Sequence, residues 1–174
     1  MPFAICGVSE VPAFATVLLD HIISFHEVHQ PGPDIRAFKY PFTLHSFVFA
    51  DTGNSSNPLA PTEAMIRRLL GVYAQTSPDQ SILFHCFAGV SRSSAAAFIW
   101  LVHHRIPYSD AYQLIVNARG PFVCPNQLMV GWADKLMSHN GKMTAFLSAE
   151  LGRRTVERDK YFSRTSATDS QPRS

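Results

Sequence analysis

SILFHCFAGVSRSSAAAFIWLVHH, residues 81–104, is the stretch on which the fold turns. Ser81–His85 is a compact apolar run of strand length. Ser93–His104 is Ala-rich and apolar nearly all round, the pattern of a buried helix. Between them lie Cys86 to Arg92, mostly small residues, so a strand passes through a tight loop straight into a helix. Such a step is the core of an α/β domain.

The loop brings particular chemistry with it. Small residues let the backbone wind tightly, so that successive N–H groups point inward and form an anion nest. Gly89 removes the steric barrier to the backbone angles this needs. The helix that follows aims its positive dipole end and unpaired N–H groups at the same point. Arg92 adds a planar fork able to hold two phosphate oxygens at once. A cysteine at the base of that positive bowl, Cys86, is expected to ionise readily, and a thiolate beneath a bound phosphate is a nucleophile in line with phosphorus.

His85-Cys86-Phe87-Ala88-Gly89-Val90-Ser91-Arg92-Ser93 resembles the HCx5R signature loop of the cysteine-based protein tyrosine phosphatases, in its HCxAGxSRS form. That form is typical of the dual-specificity and compact bacterial branches. The likeness extends more loosely over residues 43–130. It implies the protein tyrosine phosphatase-like fold, hydrolysis of phosphotyrosine, and phosphoserine and phosphothreonine as further substrates. It also implies roles. Cys86 is the nucleophile that forms a phosphocysteine, Arg92 the phosphate and transition-state clamp, and Ser93 the hydroxyl that eases departure of the thiolate. His85 helps hold the thiolate, and the backbone N–H groups of Phe87, Ala88, Gly89, Val90, Ser91 and Arg92 hold phosphate oxygens. Arg119 and Pro125-Asn126 resemble a later segment that packs beside the signature loop; Asn126 reads equally well as a helix N-cap. None of Phe87, Ala88, Val90 and Ser91 is the Lys that phosphoinositide-directed branches use to hold extra phosphates, which disfavours inositide substrates.

Working outward, Phe3–Val8, His21–Val28 and Thr43–Ala50 read as strands, and Ile35–Tyr40 as a further extended segment. Pro12–Leu19 reads as a short helix. Asp51–Pro61 (DTGNSSNPLAP) is a loop by composition. Pro61 fits the first position of a helix carrying Met65, Ile66, Leu69, Leu70 and Tyr73 on one face. Further helices are expected over Ser109–Ala118, from Asn126 to His139, and from Met143 to about Arg158. The whole is a mainly parallel central sheet flanked by helices on both faces.

A phosphate ester leaves as an alkoxide or phenoxide, so a proton donor is required. The candidates are Asp34, Asp51, Glu63, Asp79 and Asp110. Ligands in open parallel sheets sit at the carboxyl ends of the strands. Asp51 follows the strand ending at Ala50, on the edge where Cys86 follows its own strand. Asp79 precedes its strand, Asp110 reads as a helix N-terminal charge, and Asp34 sits in a turn before an extended segment. In the resembled family an Asp on a loop about this far upstream is the general acid, which Asp51 matches. An Asx-turn carboxylate is the plain alternative for Asp51, and Glu63 is the runner-up.

Composition narrows the remaining choices. The chain has 174 residues, one domain's length, with 46% apolar and 16% charged residues and a net charge of +2. Arg153, Arg154, Arg158, Lys160, Arg164 and Arg173 against Glu157, Asp159 and Asp169 put +3 after residue 152, leaving −1 on the body. That balance argues against a nucleic-acid or anionic-membrane partner. Residues 1–158 are read as one catalytic domain and 159–174 as a mobile basic tail. Three cysteines without CxxC spacing fit neither a disulfide framework nor a zinc site, and the eight histidines lack ligand spacing, so neither metal nor cofactor is expected. Cys124 is a candidate resolving thiol for Cys86, with a small buried cysteine as the alternative. With neither a basic leader nor a long apolar run, a reducing, cytoplasmic setting is expected. The resemblance to the phosphatases implies a phosphorylated protein or a small phosphomonoester as the partner. Two other functions use the same loop: a pseudophosphatase that captures phosphoproteins without turnover, and a rhodanese-type sulfurtransferase, which needs no acid.

Overall fold

The computed structural model describes residues 2–154. Four strands form one parallel sheet: β1 (Phe3–Gly7), β2 (His21–His26), β3 (Thr43–Val48) and β4 (Ile82–Cys86), in the order β1-β4-β2-β3. β4 is central and buried along its whole length, as a two-sided apolar run should be. It pairs Gly7 with Cys86 on one side and Ser24 with His85 on the other, while β2 and β3 pair from His21↔Thr43 to His26↔Val48. Because all strands run the same way, their carboxyl ends meet at one edge.

Alternation along the strands divides the apolar side chains between two faces. Ile5, Ile23, Phe25, Phe47, Ile82 and Phe84 belong to the large core. They pack against α1 (Glu63–Tyr73), α2 (Arg92–His103), α3 (Tyr108–Arg119), α4 (Gln127–Leu136) and the helical segment 142–154. In α2 every residue from Ser93 to Val102 is buried, which explains its all-round apolar sequence. Each large apolar side chain fully buried there contributes about 1.5–3 kcal/mol. Cys6, Ile22 and Leu83 lie on the other face, under Val11, Leu19, Phe14, Ile35, Phe38 and Phe42. That face is covered by a 3-10 helix over Val8–Phe14 and by loop, so among the described residues the α-helices sit on one side of the sheet and the 3-10 helix on the other, where helices on both faces were expected.

Several local expectations need correction. The helix expected over Pro12–Leu19 is instead the earlier 3-10 helix, with Pro12 inside it, and the chain turns through Ala15 N–H to Pro12 O. Ile35–Tyr40 is not a strand. Phe38 N–H turns back on Ile35 O at 3.2 Å and Lys39 N–H donates to Ala15 O at 3.0 Å, so neither is available to a ladder and β3 is the sheet edge. Pro61 is not the first helical residue: Thr62 caps α1, its hydroxyl accepting from Met65 N–H at 3.3 Å. Asn126 is the N-cap of α4, accepting from Met129 N–H at 3.0 Å. Among the described residues no helix is long and apolar enough to cross a membrane. The tail read over 159–174 lies outside the described residues.

Candidate active site

The strand-to-helix loop wraps back on its own cysteine. Gly89 N–H points at Cys86 Sγ at 3.2 Å, and Ser93 Oγ stands 3.2 Å from the same sulfur. Burial pushes the Cys86 thiol up, but the Ser93 hydroxyl and the backbone N–H groups of Ser93, Gly89 and Val90 outweigh it, and the net shift is downward. The buried neighbour Cys6 goes the other way. Burial, helped by Glu10 and Cys86 and opposed by Arg119, raises it to about 12. Alkylation by iodoacetamide in a Cys124→Ser background should therefore label Cys86 first. Its rate should fall, as pH is lowered, through a midpoint below 9.0, the ordinary thiol value. A midpoint at or above that value would contradict the hydrogen-bond account.

Two devices hold the loop in shape. Gly89 has φ +74°, and a Cβ there would meet Cys6 C at 2.6 Å, Gly7 N at 2.7 Å and Arg119 Nε at 2.8 Å. The backbone of β1 leaves no room for a side chain, so Gly89→Ala should cost more than about 2 kcal/mol in urea unfolding; a loss under ~1 kcal/mol would show that the loop can relax. Arg119, the last residue of α3, donates to Gly89 O at 3.2 Å and Ala88 O at 2.9 Å. Glu10 Oε1 accepts from Arg119 Nη1 at 2.9 Å and so fixes it. With loop carbonyls drawn outward, the backbone N–H groups of Ala88, Ser91 and Arg92 make no hydrogen bond to the described residues. They lie at the start of α2, where orphan donors and the helix dipole favour an anion.

Arg92 is 2% exposed. Its Nη1 donates to Phe49 O at 2.9 Å. Its Nη2 lies 3.7 Å from Glu27 Oε1, and its Nε lies 3.6 Å from Asp51 Oδ2, buried and without a hydrogen-bond partner among the described residues. Both carboxylates stand at the carboxyl ends of their strands, Glu27 after β2 and Asp51 after β3, and Asp51 N–H donates to Glu27 Oε1 at 3.4 Å. Asp51 Oδ1 also accepts from Ser91 Oγ at 2.7 Å and Asn126 Nδ2 at 2.9 Å.

Of the five carboxylates considered as acid, Asp51 is the one hydrogen-bonded to the signature loop. Asp34 pairs with Arg36, and Glu63 with Arg67 and Lys135. Asp79 is bound to Ser77 in the turn before β4, and Asp110 lies in the first turn of α3. The sequence places Glu27 inside a strand expected over His21–Val28; the strand ends at His26, so the strand-end rule that selects Asp51 applies to Glu27 as well. Sequence reading passed over Glu10, whose contact with Arg119 joins opposite ends of the domain. His85 is buried, and burial, opposed by the Cys86 backbone and helped by His26, lowers it to about 4. The ring is neutral at physiological pH and adds no positive charge beside Cys86. Cys124 is exposed, and its N–H donates to Val90 O at 3.0 Å.

No protein-family model matches the sequence, and comparison with curated proteins finds no match. Solved structures do match. Human DUSP28 superposes with a TM-score of 0.58 at 18% identity, over 76% of this chain and 86% of that one. The Cydia pomonella PTP-2 phosphatase gives 0.55 at 19% identity, over 78% of this chain and 85% of that one. The human tyrosine phosphatase-like serine/threonine/tyrosine-interacting protein gives 0.54 at 18% identity, over 78% and 87%. The architecture is therefore the α/β fold of the cysteine-based protein tyrosine phosphatases.

Proposed function

We propose that this protein is a phosphomonoesterase that hydrolyses phosphotyrosine, with phosphoserine and phosphothreonine as further substrates, through a phosphocysteine at Cys86. The observation that carries the reading is a buried thiol, lowered by its hydrogen bonds, at the base of a loop with unpaired N–H donors and the open Nε of Arg92. Cys86 Sγ attacks phosphorus, and the P–O bond to the substrate breaks. Asp51, protonated, gives its proton to the departing oxygen. The Asp51 carboxylate then takes a proton from water as that water attacks the phosphocysteine. Ser93 Oγ, 3.2 Å from the sulfur, donates to the leaving thiolate. Arg92 and the loop N–H groups hold the charge that develops on the equatorial oxygens.

An aryl phosphate assay in the presence of chelator tests the reading, since the cycle needs no metal. Asp51→Asn should slow turnover of phenyl phosphate by about 10²-fold. Near-normal turnover would pass the acid role to Glu27. The second reading, capture of phosphoproteins without turnover, draws support from the likeness to the phosphatase-like interacting protein. Binding of a phosphopeptide by the wild-type chain with no release of phosphate would favour it.

A further inference from the structure

The two oxygens of Asp51 have different surroundings. Ser91 Oγ at 2.7 Å and Asn126 Nδ2 at 2.9 Å both reach Oδ1, while Oδ2 accepts no hydrogen bond from the described residues and faces Arg92 Nε at 3.6 Å. The orientation of the Asn126 amide is fixed by its network. Its oxygen accepts from Met129 N–H at 3.0 Å, so its nitrogen must be the group that meets Asp51 Oδ1 and, at 3.2 Å, Thr52 O. Asn126 N–H also donates to Ser91 O at 3.3 Å, so the two residues that hold Asp51 are tied to each other.

A protonated carboxyl has one oxygen that only accepts and one that carries the proton. Two donors on Oδ1 fill its acceptor sites and leave Oδ2 to carry the proton, on the side of Arg92 and the anion loop. We propose that Ser91 and Asn126 are positioning residues that decide which oxygen of Asp51 carries the transferable proton and aim it into the pocket. Ser91 belongs to the anion loop itself, so the acid is registered against the phosphate site through one side chain. This rests on the reading of Asp51 as general acid given above.

The test compares turnover of phenyl phosphate, whose leaving group needs a proton, with that of p-nitrophenyl phosphate, whose leaving group needs it less. Asp51→Asn is the reference and should strongly lower the phenyl to p-nitrophenyl ratio of kcat/KM, which reads the step in which the leaving group departs rather than hydrolysis of the shared phosphocysteine. Ser91→Ala and Asn126→Ser should lower that ratio about 10-fold. Ser at 126 keeps a cap for α4 while removing the amide donor. Ser91→Thr, which keeps the hydroxyl, should restore the ratio, and thermal melts of each variant check the fold. Equal losses on both substrates, with the ratio unchanged while Asp51→Asn changes it, would mean a merely structural role and overturn the proposal alone. An unchanged ratio in Asp51→Asn would overturn the acid assignment and the positioning proposal together.

Discussion

Cys86→Ser is expected to slow hydrolysis of an aryl phosphate by about 10³-fold or more, measured as release of inorganic phosphate. The serine oxygen would occupy nearly the same place, within reach of Gly89 N–H and Ser93 Oγ. Those donors favour an anion, but a serine hydroxyl is far less acidic than a thiol whose pKa the same hydrogen bonds lower. The fold should persist at a cost of about 1 kcal/mol, because the exchange removes little volume from a site that is 1% exposed. Phosphopeptide binding should also persist, since Arg92 and the loop N–H groups are untouched. Turnover close to wild type would remove Cys86 from the reaction.

Arg92→Lys should be nearly as damaging, at about 10²–10³-fold in kcat, even though the charge is kept. The guanidinium serves three directions at once: Phe49 O, the side of Glu27, and the open Nε on the side of Asp51. A single ammonium cannot reproduce that fork or present two parallel donors to a phosphate. The loss should fall on kcat and kcat/KM together, as expected for an interaction made in the transition state. A Lys variant within about tenfold of wild type would mean that charge alone suffices and that the fork is incidental.

Much of this was legible before the structure, for physical reasons. Residues 81–104 carry both the central strand and the buried helix, and neither can be satisfied except in the interior. Asp51 was found because parallel strands end at a common edge. Glu27 obeys the same rule, but the strand expected over His21–Val28 runs past it, whereas β2 ends at His26 and leaves Glu27 at its carboxyl end. The Glu10–Arg119 support was invisible, since no local pattern pairs residues so far apart in the chain. Ile35–Tyr40 shows the limit of apolar runs as a signal. Ile35 and Phe38 are apolar because they cover the second face of the sheet as loop, not because they add a strand. The likeness to solved phosphatases at 18–19% identity carries the fold, while the chemistry rests on the side chains around Cys86.

The central claim is a covalent phosphoryl transfer to one sulfur. Wild-type protein mixed with p-nitrophenyl phosphate in excess chelator, acid-quenched during turnover and digested, should yield the Cys86 peptide with a phosphoryl group on the thiol. The adduct should be absent from the Cys86→Ser protein and should accumulate when Asp51→Asn slows its hydrolysis. Sustained phosphate release with an unmodified Cys86 peptide would contradict the account.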